Sequence, residues 1–172
     1  GNTAAPETDY LVLDVTDATA DLPIWSDTAP TSTVFSINNA GVDDSKTMVC
    51  YAFRSIQGYS KFGSYTGNAN ANGAFVYTGF SPAFVMTKRY DAISGWWTAD
   101  NKRETFNPFD YGLLLNDSGA DLTSSEKPID FLSNGFKSRA NTGYHNAAGT
   151  YVYMAFAEQP FVTSGGVPAT AR

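Results

Sequence analysis

Charge is scarce in this chain. Asp, Glu, Lys and Arg make up 16% of its 172 residues, and the balance is a net −6, against a charged share of roughly 25% in an ordinary soluble domain. Such a deficit of positive charge excludes a broad phosphate-binding face for nucleic acid. Histidine and cysteine occur once each, as His145 and Cys50. One cysteine excludes an internal disulfide, and one histidine with one cysteine leaves too few soft ligands for a zinc site. No run approaches eighteen apolar residues, so no membrane-spanning helix is written in the sequence. Helical periodicity is missing as well. The nearest candidates, residues 17–22 and 120–127, amount to one turn at most.

Gly, Asn, Ser, Thr and Tyr take the place of the missing charge, and aromatics reach 15%, with ten Tyr and twelve Phe. This mixture suits pleated, half-buried surfaces joined by many turns. Short apolar runs bounded by turn residues recur along the chain. They lie at 9–15, 32–37, 47–53, 74–80, 83–90, 95–100, 111–116, 129–133, 135–139 and 150–157. Many short strands with frequent turns predict an all-β fold, an antiparallel β-sandwich or jelly roll.

An internal repeat runs through this pattern. "DYLVLDVTDATADL" from Asp9 aligns with "DYGLLLNDSGADL" from Asp110, and "TMVCYAFRS" (47–55) aligns with "TYVYMAFAE" (150–158). Matches in the same order, at offsets of 100 to 103 residues, are more than composition produces. The second copy has a long prelude before its "DYGLLL" that the first lacks. The expected organisation is therefore the C-terminal half of a preceding repeat at 1–57, a complete β-sandwich repeat at 58–162 and a C-terminal tail at 163–172. The opening "GNTAAPETDY" has none of the marks of a signal peptide. A first residue of Gly points to processing, a tag scar or a fragment, and the half unit would be completed either by strands upstream or by another chain.

Chemistry-bearing constellations are few. His145 sits in the turn-rich "NTGYHNAAG" and reads as an exposed loop histidine, with no Gly-x-Ser-x-Gly elbow to pair with it. Cys50, flanked by apolar residues, reads as a buried small hydrophobe. Asp14, Asp17, Asp21, Asp43 and Asp44 read as solvated turn acids. No strand places two carboxylates on one face, as a glycosidase requires, and no calcium-loop pattern occurs. No catalytic residue, cofactor or metal is expected.

Aromatic and amide residues are more telling. In "GYSKFGSYTGNANANG" (58–73), Tyr59, Phe62 and Tyr65 recur between glycines before a tip that reads as flexible. Tyr59, Tyr65, Asn68 and Asn70 suit a sugar, with rings for its apolar face and amides for its hydroxyls. "KRYDAISGWWTADNKR" (88–103) reads as a hairpin turning near Ser94–Gly95. Its adjacent Trp96 and Trp97 must face opposite sides, one in the core and the other on a ligand or a neighbouring subunit. Lys88, Arg89, Lys102 and Arg103 are expected together at the open end of that hairpin.

The stretches "GYSKFGSYTGN", "FVYTGFSPAFVMTKR", "DFLSNGFKSR" and "YVYMAFAEQPF", with the ending "VPATAR", resemble a domain family of unknown function in virion proteins of tailed bacteriophages, marine ones especially. The resemblance covers roughly residues 28–172. It implies a concanavalin A-like, lectin-like sandwich of the kind found at the C-terminus of tail fibres, displayed on the virion surface. It supplies no catalytic residues. Two readings follow: a tail-fibre module that attaches to a host-surface glycan through Trp96, Trp97, Tyr59, Tyr65, Asn68 and Asn70, or a purely structural virion protein, such as a capsid decoration or fibre-shaft domain, whose aromatics lie at subunit contacts. A glycan-cleaving enzyme ranks far behind. Expected partners are other copies of the chain, a trimer by analogy with phage fibres, other virion proteins and, in the first reading, a host glycan. Neither nucleic acid nor membrane insertion is expected.

Overall fold

The computed structural model describes residues 7–39, 45–123 and 128–159. Among the described residues eleven strands form in chain order: β1 (Asp9–Tyr10), β2 (Ala20–Asp21), β3 (Ser60–Gly67), β4 (Phe75–Tyr77), β5 (Pro82–Arg89), β6 (Trp96–Asp100), β7 (Tyr111–Leu114), β8 (Leu122–Thr123), β9 (Ile129–Leu132), β10 (Gly135–Ser138) and β11 (Gly149–Ala157). A single 3₁₀ turn covers Pro23–Trp25, and no α-helix occurs among the described residues. Every pairing is antiparallel. The fold is an all-β, antiparallel sandwich.

Besides the two-stranded β1-β2 sheet, a large sheet has six strands in the order β3-β11-β5-β6-β7-β8 and a small one has three in the order β4-β10-β9. Alternation decides what meets between them. From the large sheet come Val85, Trp97, Ala99, Tyr153 and Ala155. From the small sheet come Val76, Ile129, Phe131 and Phe136, and all nine join one buried cluster. Burying a large apolar side chain contributes about 1.5–3 kcal/mol, so this layer dominates the stability of the fold.

The opposite face of the large sheet is covered too. An N-terminal strap crosses it: the Thr19 amide donates to the Tyr90 carbonyl at 2.9 Å, the Ser94 amide to the Thr16 carbonyl at 2.9 Å, and the Trp96 indole to the Val12 carbonyl at 2.9 Å. Strands covered on both faces have no reason to alternate polar with apolar residues. The near-continuous apolar runs of β5 and β11 follow from that.

The two copies of the repeat agree at first and then diverge. β1 pairs with β2, and β7 pairs with β8, so both "DY…ADL" stretches form a short antiparallel pair. The later matches part company. "TYVYMAFA" forms most of β11, flanked by β3 and β5, whereas 47–53 forms no strand and its residues are exposed. Residues 32–37 form no strand either, and 9–15 contributes two strand residues. Conversely β3, eight residues long, stands where an aromatic segment and no strand was expected. Residues 163–172 lie outside the described residues.

Candidate functional site

The six residues expected to form a sugar patch are not brought together. Trp97 is 0% exposed, with its ring 4.7 Å from that of His145. Its indole nitrogen has no hydrogen-bond partner among the described residues and lies against the backbone of Gly112, where an added Cβ would fall 2.2 Å away. Tyr65 is half-buried and stacks on Tyr151 with centroids 5.2 Å apart. Its hydroxyl donates to the His145 carbonyl at 2.8 Å. Burial, then the neighbouring Tyr151, pushes the Tyr65 phenol well above its ordinary value against the hydrogen bond with Thr87. Both rings are parts of the core.

Asn68 and Asn70 are exposed, but their amides are engaged within their own loop. Asn68 Oδ1 accepts from the Asn70 amide at 3.1 Å and from Asn146 Nδ2 at 2.9 Å. Asn146 is fully buried and also donates to the carbonyls of Asn70 and Ala140, both at 2.8 Å. The tip expected to be flexible is therefore knitted to the loop that precedes β11. Tyr59, 44% exposed, lies at the other end of β3. An eight-residue strand separates it from Asn68, about 25 Å at roughly 3.3 Å per residue. One sugar-sized patch cannot include both.

Three further expectations are corrected. His145 is 0% exposed, with Nδ1 2.9 Å from Oγ of the buried Ser138. Cys50 is exposed, because the segment that carries it joins no sheet. The four basic residues do not gather. Lys88 pairs across the hairpin with Trp96, beside the turn, whereas Asp100 pairs with Phe84 at the open end, and Lys102 and Arg103 follow it. The hairpin and the opposite facing of its two tryptophans are as expected. The hairpin, however, closes over all the residues between Lys88 and Trp96 rather than turning at Ser94–Gly95, and Trp96 is itself buried, 8% exposed, instead of lying outside.

Trp96 helps to line a cavity of about 360 Å³ between the strap and the outer face of the large sheet. Trp25, Phe35, Phe62, Met86 and Met154 line it with Trp96, so its walls are chiefly apolar. Lys88 also contributes to the wall. Its ammonium donates to the Thr16 carbonyl at 2.9 Å and the Ser94 carbonyl at 2.7 Å, tying the strap to the β5–β6 turn. Burial lowers the Lys88 pKa, and the charge of Asp17 partly opposes this. Such a slot suits an apolar group better than a hydroxyl-rich sugar. Sequence reasoning missed it, because its walls come from positions 9 to 154 and no local spacing links them.

A close carboxylate pair does exist, at Glu104 and Asp110. Glu104 Oε2 accepts from the backbone amides of Asp110 and, at 2.7 Å, Tyr111, which makes it a cap for the start of β7. Burial, then the Glu104 charge, raises the Asp110 pKa. Neither residue lines the cavity. Among the described residues no cluster could hold a metal ion.

At one corner the outer face carries an aromatic array. The rings of Phe53, Tyr59, Phe62 and Phe84 all lie within 6.2 Å of the Phe156 ring. Phe53 comes from the strandless segment 47–53, which continues as an open apolar surface: Val49 is 74% and Tyr51 80% exposed. Val34, Phe35 and Ile37 are exposed as well.

No curated protein and no solved structure matches the chain. A family model does match, over residues 2–160, spanning both copies of the repeat. The chain belongs to that family, described as a domain of unknown function, DUF7483.

Proposed function

We propose that the chain is a structural module of a tailed-bacteriophage virion, of tail-fibre or decoration type, displayed on the particle and working through assembly with other subunits. The resemblance of its motifs to phage virion proteins supports the setting, and the concanavalin A-like class belongs to this proposal. The observation that carries the assembly role is the exposed apolar surface of Met48, Val49, Tyr51 and Phe53. Contiguous apolar surface of this kind marks interaction sites. The role requires no catalysis and no cofactor.

Cys50 lies within that surface and reports on it. In free chain the exposed thiol should react with a maleimide. In purified particles carrying the chain, identified by mass spectrometry, it should be protected. Absence of the chain from particles, or equal reactivity in both settings, would contradict the proposal.

A second reading, attachment to a host-surface glycan, draws on Tyr59 and Phe53, whose exposed rings flank Phe156. Rings so placed can stack on the apolar face of a sugar. A glycan array would separate the readings: binding that Tyr59→Ala abolishes favours attachment, and no binding favours a purely structural role.

A further inference from the structure

β3 is an edge strand, paired on one side with β11. On its free side the turn 56–59 starts a hairpin with the preceding chain, through the Ile56–Ser60 bridge. That hairpin stops at once. Ser55 Oγ accepts from the Phe62 amide at 3.1 Å and donates to the Phe62 carbonyl at 3.5 Å. A side chain thus occupies the place where a partner backbone would continue the ladder. Ser60 Oγ holds the Arg54 carbonyl at 2.9 Å, and Phe53 turns over Phe62 with ring centroids 5.8 Å apart.

Two unsatisfied features result. Alternation from Phe62 places the amides and carbonyls of Ser64 and Thr66 on the open edge, where nothing among the described strands pairs with them. This stretch of β3 carries no charge, proline or bulge of the kind that protects edges. Beside it, residues 47–53 form no strand and leave the side chains of Val49 and Tyr51 in solvent.

We infer that these two features are halves of one joint between copies of this chain: residues 47–53 of one copy add as a strand to the open edge of β3 in another. The likeness between 47–55 and β11 points to a second copy as the partner. β3 already pairs along its whole length with a strand reading "TYVYMAFA". The exposed segment offers the same series, with Thr47, Val49, Ala52 and Phe53 at the places of Thr150, Val152, Ala155 and Phe156. Reciprocal exchange between two copies satisfies both edges and both segments, in the self-complementary manner of a two-fold dimer. This deepens the assembly reading above and rests on it.

The test combines light scattering across a concentration series with hydrogen exchange of the peptides covering 47–55 and 60–67. Two variants accompany the wild type: Tyr51→Lys in the segment, and Ser64→Pro, which removes an outward amide from the edge. The expected result is a wild-type dimer in which both peptides gain protection as concentration rises, with the dimer dissociation constant raised at least tenfold in each variant. Tyr51→Lys changes an exposed side chain, so its result stands even if Ser64→Pro perturbs the fold. A monomer at every concentration overturns the joint, as does protection that is already present in dilute monomer because the segment closes on its own β3. Self-association that survives both variants also overturns the joint while leaving the assembly reading in place.

Discussion

"TMVCYAFRS" and "TYVYMAFAE" are nearly the same apolar phrase with opposite fates. The second lies between two strands. It pairs with β3 from Gly149 to Phe156 and with β5 from Tyr151 to Ala157, and it sends Tyr151, Tyr153 and Ala155 into the interior. The first meets a single edge, held off by Ser55, and stays in solvent. β-propensity is a preference for a pleated surface with neighbours on it. Given neighbours, the phrase becomes an inner strand of a sheet; without them it is an exposed arm.

Identical residues at aligned positions break this comparison most sharply. Ala155 is fully buried, and Ala155→Lys should cost about 4 kcal/mol or more by burying an unpaired charge, enough to abolish folding of a marginal domain. Ala52→Lys should change stability by less than about 0.5 kcal/mol. Urea unfolding of dilute monomer measures both. One step down, Tyr153→Ala should cost about 3 kcal/mol through lost packing and the cavity left behind. Its aligned partner Cys50 tolerates Ala without measurable loss.

The alternation of the tryptophans was legible because adjacency in a strand leaves no other choice. β5, β6 and β11 were legible as apolar runs bounded by turns. The same signal at 32–37 and 47–53 misled, since periodicity records what a segment can bury and not whether a partner edge is present. β3 was missed because its "SKFGSYTG" carries two glycines and four hydroxyl side chains. Gly63 is needed there: a Cβ would come within 2.7 Å of the Tyr153 ring, a constraint set by a strand ninety residues away. The site was legible least. Whether Tyr65 turns to solvent or to Tyr151 is decided by long-range packing, and the burial of His145 depends on a loop anchored by Asn146.

That anchor sharpens the contrast. Asn146 fixes the approach to β11, and Asn146→Ala should cost about 2 kcal/mol by leaving buried carbonyls and amides unsatisfied. Faster hydrogen exchange across residues 68–73 would accompany it. Phe53→Ala, which removes the arm's hold on Phe62 and Phe156, should cost about 1 kcal/mol, read from the same unfolding curves.

Smallest is the alkaline response of the β11 side. The Tyr65 phenol is held well above its ordinary value of 10.0 by burial first and Tyr151 second. The folded state therefore keeps a proton that the unfolded chain gives up. Its contribution is fully present below pH 10 and is lost as pH rises above it. Tyr65→Phe should flatten the fall in melting temperature above pH 10; an unchanged fall would assign it to other groups.

The most direct test of the central claim is hydrogen exchange of peptides 47–55 and 149–157 in one sample, dilute enough to be monomeric. The account predicts exchange at unstructured-chain rates for the first and strong protection, approaching global unfolding, for the second. Comparable protection of both would contradict it, because the two phrases would then share a structural role.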